Sequence, residues 1–181
     1  IVPTKNSWKN LKRLVKSLDI QKDKNFRVLI IDSNSCKKHI KYLIKLRNNF
    51  SNIDFINQTE NSGIYGAMNE GFKYANKNEW ILFWGSDDFA SSKNTIKDLR
   101  NLINSDDFHK KDMIIFKGFY FDTIKNKITS VNHFSKISNT NLNYKEYRNK
   151  LLMGFRQSHQ STLINPNNNL KNLRYEEKFS L

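Results

Sequence analysis

Cysteine is nearly missing from this chain: of 181 residues, only Cys36 carries a thiol. No intrachain disulfide is therefore possible and nothing suggests secretion. With no Cys or His cluster at ligand spacing, a structural zinc site is not expected either. Two prolines and six glycines leave no linker rich in either residue, so the sequence does not divide into two domains. No apolar run approaches the ~20 residues that cross a bilayer, and no signal peptide is visible. The expected setting is cytoplasmic, with any membrane contact peripheral, on the inner face of the cytoplasmic membrane. The chain begins at Ile1 without a methionine, inside what reads as a strand, and so reads as a fragment.

Acid is also in short supply. Asp and Glu number 17 against 31 Lys and Arg, giving a net charge of +14 and a pI of about 9.8. Such a balance attracts polyanions: nucleic acid, anionic membrane or phosphorylated substrates. A second account is a codon bias, since the chain is crowded with Lys, Asn and Ile. Its basic residues read as scattered, in Lys9, Lys12, Arg13 and Lys16 and again in Lys37, Lys38, Lys41 and Lys45. Those spacings suit solvated helix faces rather than one dense patch.

What is present is enough for one domain with a sizeable core. The first half alternates strand and helix. Ile1-Val2-Pro3 ends a strand, and Ser7 caps a helix with Leu11, Leu14, Val15 and Leu18 at helical spacing. Strands are predicted over Phe26–Ile31, Ile53–Ile56 and Trp80–Trp84. Helices are predicted around Ile40, Leu43, Ile44 and Leu46, over Ile64–Asn76, and around Ile96, Leu99, Leu102 and Ile103. Such alternation implies a parallel sheet with right-handed crossovers. The second half reads differently. Met113–Phe121 and Ile128–Val131 flank Lys125-Asn126-Lys127 as a hairpin. A helix follows near Tyr144–Leu152, then a strand over Ser161–Ile164.

The most informative stretch is Trp80-Ile-Leu-Phe-Trp84-Gly-Ser-Asp87-Asp88-Phe89. A buried strand ends in a Gly-Ser turn and delivers two adjacent carboxylates. In an open α/β sheet, ligands bind beyond the carboxyl ends of the strands. Two carboxylates there repel unless a cation or ligand hydroxyls lie between them, and hard oxygen ligands suit Mg²⁺ or Mn²⁺. The same pair could merely cap the next helix. Asp32 ends the second strand, and Asn61-Ser62-Gly63 opens the third helix. If the strands are neighbours in one parallel sheet, all three segments share an edge. There glycines let backbone approach a ligand, and a helix N-terminus favours negative charge.

Taken in order, these segments resemble the family 2 glycosyltransferases of the GT-A fold, in particular bacterial members that build O-antigen and other surface polysaccharides. The parts are Pro3-Thr4-Lys5-Asn6, Asp32, Asn61-x-Gly63-Ile64-x-x-Ala67-x-Asn69-x-Gly71, Gly85-Ser86-Asp87-Asp88, His159-Gln160 and Tyr175-Glu176-Glu177-x-Phe179. The resemblance implies an α/β fold, a Rossmann-like sandwich with a mostly parallel central sheet and a smaller mixed C-terminal portion. One domain would span 1–181, truncated at both ends. Residues 1–105 would form its nucleotide-sugar-binding half and 106–181 an incomplete acceptor-side half.

The resemblance also implies roles. Pro3 and Thr4 would line the base pocket, Asp32 would hydrogen-bond the base, and Asn61 and Gly63 would meet the donor. Asp87 would contact ribose or sugar, Asp88 would bind Mn²⁺ or Mg²⁺ on the diphosphate, and His159 and Gln160 would face the acceptor or diphosphate. The donor would be a nucleotide-sugar, UDP first with GDP and dTDP open, and the acceptor a glycan or polyprenyl-linked glycan. The reaction would invert at the anomeric carbon, with a general base taking the acceptor proton. Two departures stand out. The loop after Asp32 reads Ser33-Asn34-Ser35-Cys36-Lys37, without the family's second acidic residue. The family's base also tends to follow the match to Glu176-Glu177-x-Phe179, so it is expected beyond Leu181, with Glu176 and Glu177 as substitutes within the chain. Other classes remain open: a basic nucleic-acid-binding α/β domain, for which no signature is visible, a nucleotidyltransferase, for which a glycine-rich N-terminal loop is missing, or an inactive transferase-like domain.

Overall fold

Three short parallel strands carry the architecture. The structure is a computed structural model and describes residues 1–59, 63–76, 78–108, 110–131, 141–155, 157–166 and 174–176. Strand β1 (Val2–Thr4) pairs with β2 (Val28–Asp32), and β2 with β3 (Ile53–Asn57), all in parallel. The register sets Thr4 beside Asp32 and Asp32 beside Asn57, so three strands end on one line.

Helices α1 (Trp8–Asp19) and α2 (Lys37–Asn49) are the crossovers β1→β2 and β2→β3. Consecutive right-handed crossovers in one direction put both helices on the same face of the sheet. Their apolar stripes, Leu11, Leu14, Val15 and Leu18 with Leu43 and Leu46, close over Val2, Val28, Ile30 and Ile53. Burying each such side chain contributes about 1.5–3 kcal/mol. Helix α3 (Ile64–Lys73) covers the opposite face, where Ala67 meets Leu29 and Ile31. The alternation of β2 is therefore Val28 and Ile30 toward α1 and α2, Leu29 and Ile31 toward α3. A Cβ on Gly71 would come within 2.6 Å of the Ile1 side chain, so the glycine lets α3 sit close on the start of β1.

Beyond β1 the sheet continues. Strand β4 (Ile81–Leu82) pairs antiparallel with β8 (Thr162–Ile164), which pairs antiparallel with β5 (Met113–Ile115). The two sheets meet at Ile1, whose N–H donates to Leu82 O (2.8 Å) and whose carbonyl accepts from Trp84 N (3.0 Å). The lateral order is thus β3-β2-β1-β4-β8-β5, with β8 reversed. Asp87-Asp88 does lie along the edge of Thr4 and Asp32, but its strand joins theirs through a two-bond bridge instead of a full ladder.

Three other expectations need correction. Met113–Phe121 is not one strand: the ladder with β8 ends where Phe116 N donates to Ser161 O (2.9 Å), and the chain departs into a separate hairpin. That hairpin is β6 (Phe119–Asp122) and β7 (Lys127–Val131), turned at Asn126 with φ 48°. Ile44 faces solvent, because Leu43 and Leu46 fill the inward stripe of α2. Helix α3 stops at Lys73, short of Asn76. Helices α4 (Thr95–Ile103) and α5 (Tyr144–Leu152) form as expected. Asn143 caps α5 in a box with Glu146: Glu146 N donates to Asn143 Oδ1 and Asn143 N donates to Glu146 Oε2.

Candidate active site

The crevice at the carboxyl ends of β1, β2 and β4 is built from loops tied to one another. At the end of β1, Pro3 is half-buried and Thr4 buried, its hydroxyl bonded to that of Ser7, and Thr4 O accepts from Ser33 N (2.9 Å). Asn6, at φ 53°, bridges to the loop after β2 twice: its N–H donates to Ser35 Oγ (2.8 Å), and its Oδ1 accepts from Cys36 N (2.8 Å). Two neighbouring loops are thereby held as one rim.

Asp32 sits under that rim. By the alternation of β2 it points toward α2, and it has no exposed surface. One oxygen accepts from Ser35 N (2.9 Å), and the other lies 3.2 Å from Nε2 of His39, also fully buried. That distance is within ion-pair reach, but the geometry is not that of a hydrogen bond, and neither ring nitrogen of His39 has a partner among the described residues. Burial holds His39 below the ordinary histidine range, partly offset by the Asp32 charge. In this arrangement Asp32 braces the loop from below, and Ser33 is the first half-exposed side chain beyond the strand.

The second wall is the turn after β4. Gly85 is where two carboxylates fold back: a Cβ there would lie 2.8 Å from Asp87 Oδ1 and 3.2 Å from Asp88 Oδ2. Gly85 N donates to Asp88 Oδ2. Burial pushes the Asp88 carboxyl up to about 6, the Asp87 charge adds to the rise, and bonds from Gly85 and Gln160 oppose it. Asp87 is exposed. The segment is fixed from behind, where Ala90 N donates to Ser17 Oγ (3.0 Å) and the Arg13 guanidinium stacks 3.8 Å from the Phe89 ring.

The third wall comes from the far end of the sequence. His159–Ser161 form a 3-10 turn leading into β8. Trp84 Nε1 donates to Gln160 O (2.9 Å), which sets the Gln160 amide against Asp88. His159 packs edge-on to Tyr175, with centroids 5.2 Å apart, and burial keeps it below the ordinary histidine range. Tyr175 also stacks on Tyr65 (5.4 Å) and meets Phe83 edge-on (5.9 Å). Its backbone is gripped by Asn69 of α3: Tyr175 N donates to Asn69 Oδ1 (2.7 Å), and Asn69 Nδ2 donates to Tyr175 O (3.0 Å). Glu176, the next residue, is exposed. Gly63 at φ 98° starts α3, a conformation that favours glycine. Asn61 and Glu177 lie outside the described residues.

The fold therefore brings Thr4, Asp32, Asp87, Asp88 and Gln160 to one edge. Two contributors were not visible in the sequence: His39 beneath Asp32, and the Asn69–Tyr175 grip. A polar Asn between Met68 and Glu70 on a buried helix face was the available signal. Two cavities, about 550 and about 270 Å³, open elsewhere, around Phe26, and none of the residues expected in the site lines them. The candidate site is an open crevice. Among the described residues no group of three or more His, Cys, Asp or Glu side chains could hold a metal, so any cation here would rest on Asp87 and Asp88 and on oxygens of a ligand.

Comparison with known proteins agrees with this architecture. The profile of glycosyl transferase family 2 matches residues 1–165. No curated protein matches the chain. The crystal structure of S. aureus TarS 1-349 superposes with a TM-score of 0.71 at 23% identity, over 98% of this chain and 49% of that one. The chain thus spans about half the length of that structure. TarS 1-349 in complex with UDP-GlcNAc aligns at 32% identity and TM-score 0.53, over 63% of this chain and 32% of that one. A mannosyltransferase from Pyrobaculum calidifontis, in complex with GDP-Man and Mn²⁺, aligns at 16% identity and TM-score 0.51, over 58% and 31%. The fold is GT-A, and the chain belongs to glycosyl transferase family 2.

Proposed function

We propose that the crevice binds a nucleotide-sugar, with UDP the first choice of nucleotide, and that the chain belongs to an inverting glycosyltransferase of bacterial surface polysaccharide synthesis. The observation that carries this reading is the Asp87–Asp88 pair folded over Gly85 beside Gln160, at the carboxyl edge of a parallel sheet. A desolvated carboxylate next to a second one is short of positive charge, and hard oxygen donors fit Mn²⁺ or Mg²⁺. Asp88 would hold that cation with Asp87 beside it. The cation supplies neutralisation of the diphosphate as negative charge builds on the leaving group.

The remaining work falls to this chain's own residues. The paired loops Pro3–Ser7 and Ser33–Cys36 form the wall nearest the base and ribose, with Asp32 and His39 fixing their shape. The N-terminus of α3 behind Gly63 presents the positive end of a helix dipole to the crevice. On the opposite side, Gln160 orients Asp88 and His159 lines the acceptor approach. The acceptor is a glycan or polyprenyl-linked glycan whose hydroxyl oxygen attacks the anomeric carbon. The bond from that carbon to the phosphate oxygen breaks as the acceptor proton passes to a carboxylate. Within the described residues the exposed Glu176, next in sequence to Tyr175, is the candidate substitute for that base. Two relatives whose structures hold UDP-GlcNAc and GDP-Man support a nucleotide-sugar ligand.

Titration calorimetry with UDP-GlcNAc and UDP tests the reading. Binding that needs Mn²⁺ and disappears in Asp88→Ala is expected. Equal affinity in that variant would remove the metal assignment.

A further inference from the structure

We propose that the outer face of α1 and α2 is a docking surface for an anionic lipid membrane, with Trp8, Ile20 and Ile44 as its apolar contacts. This deepens the lipid-linked-acceptor part of the reading above, yet stands on charge and exposure that do not depend on it.

The two basic runs that look scattered in sequence lie side by side in the fold. Nine of the 31 Lys and Arg residues, and one of the 17 acidic ones, belong to α1 and α2. These 25 residues therefore carry +8 of the chain's +14. The charge is concentrated, which a codon bias alone does not explain. With Leu11, Leu14, Leu18, Leu43 and Leu46 buried, the outward stripes read Lys9, Lys12, Lys16, Ile20 and Lys37, Lys41, Ile44. Ile20 is 58% exposed and Ile44 40%. Of the nine cations, Arg47 alone pairs with a carboxylate among the described residues, Asp54 at 3.9 Å.

The helix starts add to the field. Neither helix has an acidic residue in its first turn, and Lys9, Lys37 and Lys38 sit there against the helix dipole. At the seam, half-buried Trp8 holds three ammonium groups around one ring: Lys38 at 4.4 Å, Lys12 at 5.0 Å and Lys9 at 5.6 Å from its centroid. Cations gathered at an indole, with exposed isoleucines farther along the same two helices, match a headgroup layer above acyl chains. A helical layer with outward apolar side chains favours a membrane over a soluble phosphate polymer, which would be better held in a groove. The loops opening both helices also form the rim of the crevice, so a docked membrane would lie beside the site.

Vesicle co-sedimentation of the whole chain tests this, with phosphatidylcholine alone or mixed with phosphatidylglycerol. Binding is expected only to the anionic vesicles. Each lysine at such a surface is worth roughly fivefold, so Lys9→Gln, Lys12→Gln, Lys37→Gln and Lys38→Gln together should weaken binding on the order of 600-fold. Removing the same charge at Lys97, Lys125, Lys127 and Lys145 should leave binding in place. Unchanged thermal unfolding of both variants secures the comparison. Equal loss in the two variants, indifference to phosphatidylglycerol, or tighter binding to inorganic polyphosphate at matched phosphate would each overturn the proposal. Anionic-vesicle binding without any nucleotide response would leave this surface standing and count against the transferase reading instead.

Discussion

The side chain of Gln160 faces the Asp88 carboxylate and holds it lower than burial alone would, joining the turn after β4 to the 3-10 turn that opens β8. The Trp84 indole sets this contact by holding Gln160 O at 2.9 Å. Family 2 membership gives the pair a use, because a half-buried carboxylate at the crevice edge is set by a residue from the far end of the sequence.

Asp88, pushed up to about 6, must lose its proton before it can hold a cation. Mn²⁺-dependent nucleotide affinity should therefore fall as pH drops below 6, by about tenfold per unit. Gln160→Ala removes a contact that lowers Asp88, so the fall should begin at higher pH. Affinity measured against pH in both proteins checks this, and coincident profiles would contradict it.

Stability without metal should follow the opposite sign. Asp88 is raised in the fold, so the native chain binds its proton more tightly than the unfolded chain, and its contribution improves as pH falls through 6. His39 and His159 are lowered from 6.5, so they cost stability as pH falls below that value. Asp88→Asn removes the compensating group. It should be more stable than the parent at pH 8 by roughly 2–8 °C in Tm and lose that margin between pH 6 and 4. A constant margin across the titration would refute the assignment.

The grip of Asn69 on Tyr175 offers a test independent of any ligand. Asn69→Leu leaves both backbone groups of Tyr175 without this partner, costing about 2 kcal/mol and roughly 4–8 °C in Tm. The Tyr175 phenol, held well above the usual tyrosine range by burial, should ionise nearer to it in the variant. An ultraviolet titration that shows no change would mean that the ring contacts alone place this segment.

Asp32→Ala removes the brace beneath the rim. Ser35 N loses its acceptor, costing about 1–3 kcal/mol, and metal-free nucleotide affinity should drop about tenfold, equal to 1.4 kcal/mol. If affinity is retained while Tm falls, Asp32 supports the fold without shaping the donor site.

Much of this was legible because it is local. Leu11, Leu14, Val15 and Leu18 announce α1 by period alone, and the hydrophobic run closing at Asp32 announces β2. The edge shared by Thr4, Asp32 and Asp88 followed from strand–helix alternation. What sequence reading missed depends on partners distant in the chain. Nothing near Thr162–Ile164 says that β8 runs antiparallel between β4 and β5, nor that β5 ends where Phe116 meets Ser161. Asp32 reads identically whether it points into the crevice or toward His39; the alternation of β2 decides. The lysine runs looked dispersed because only the crossovers set α1 against α2.

The most direct measurement is thermal unfolding of the chain with UDP, GDP, dTDP and CMP, each with Mn²⁺ or with EDTA. A ligand at ~100 times its dissociation constant adds about 2.7 kcal/mol, a rise of roughly 5–11 °C for a domain this size. The account predicts such a rise with UDP and Mn²⁺, lost in EDTA and in Asp88→Ala. No rise with any nucleotide under either condition would contradict a nucleotide-sugar site at the Asp87–Asp88 edge.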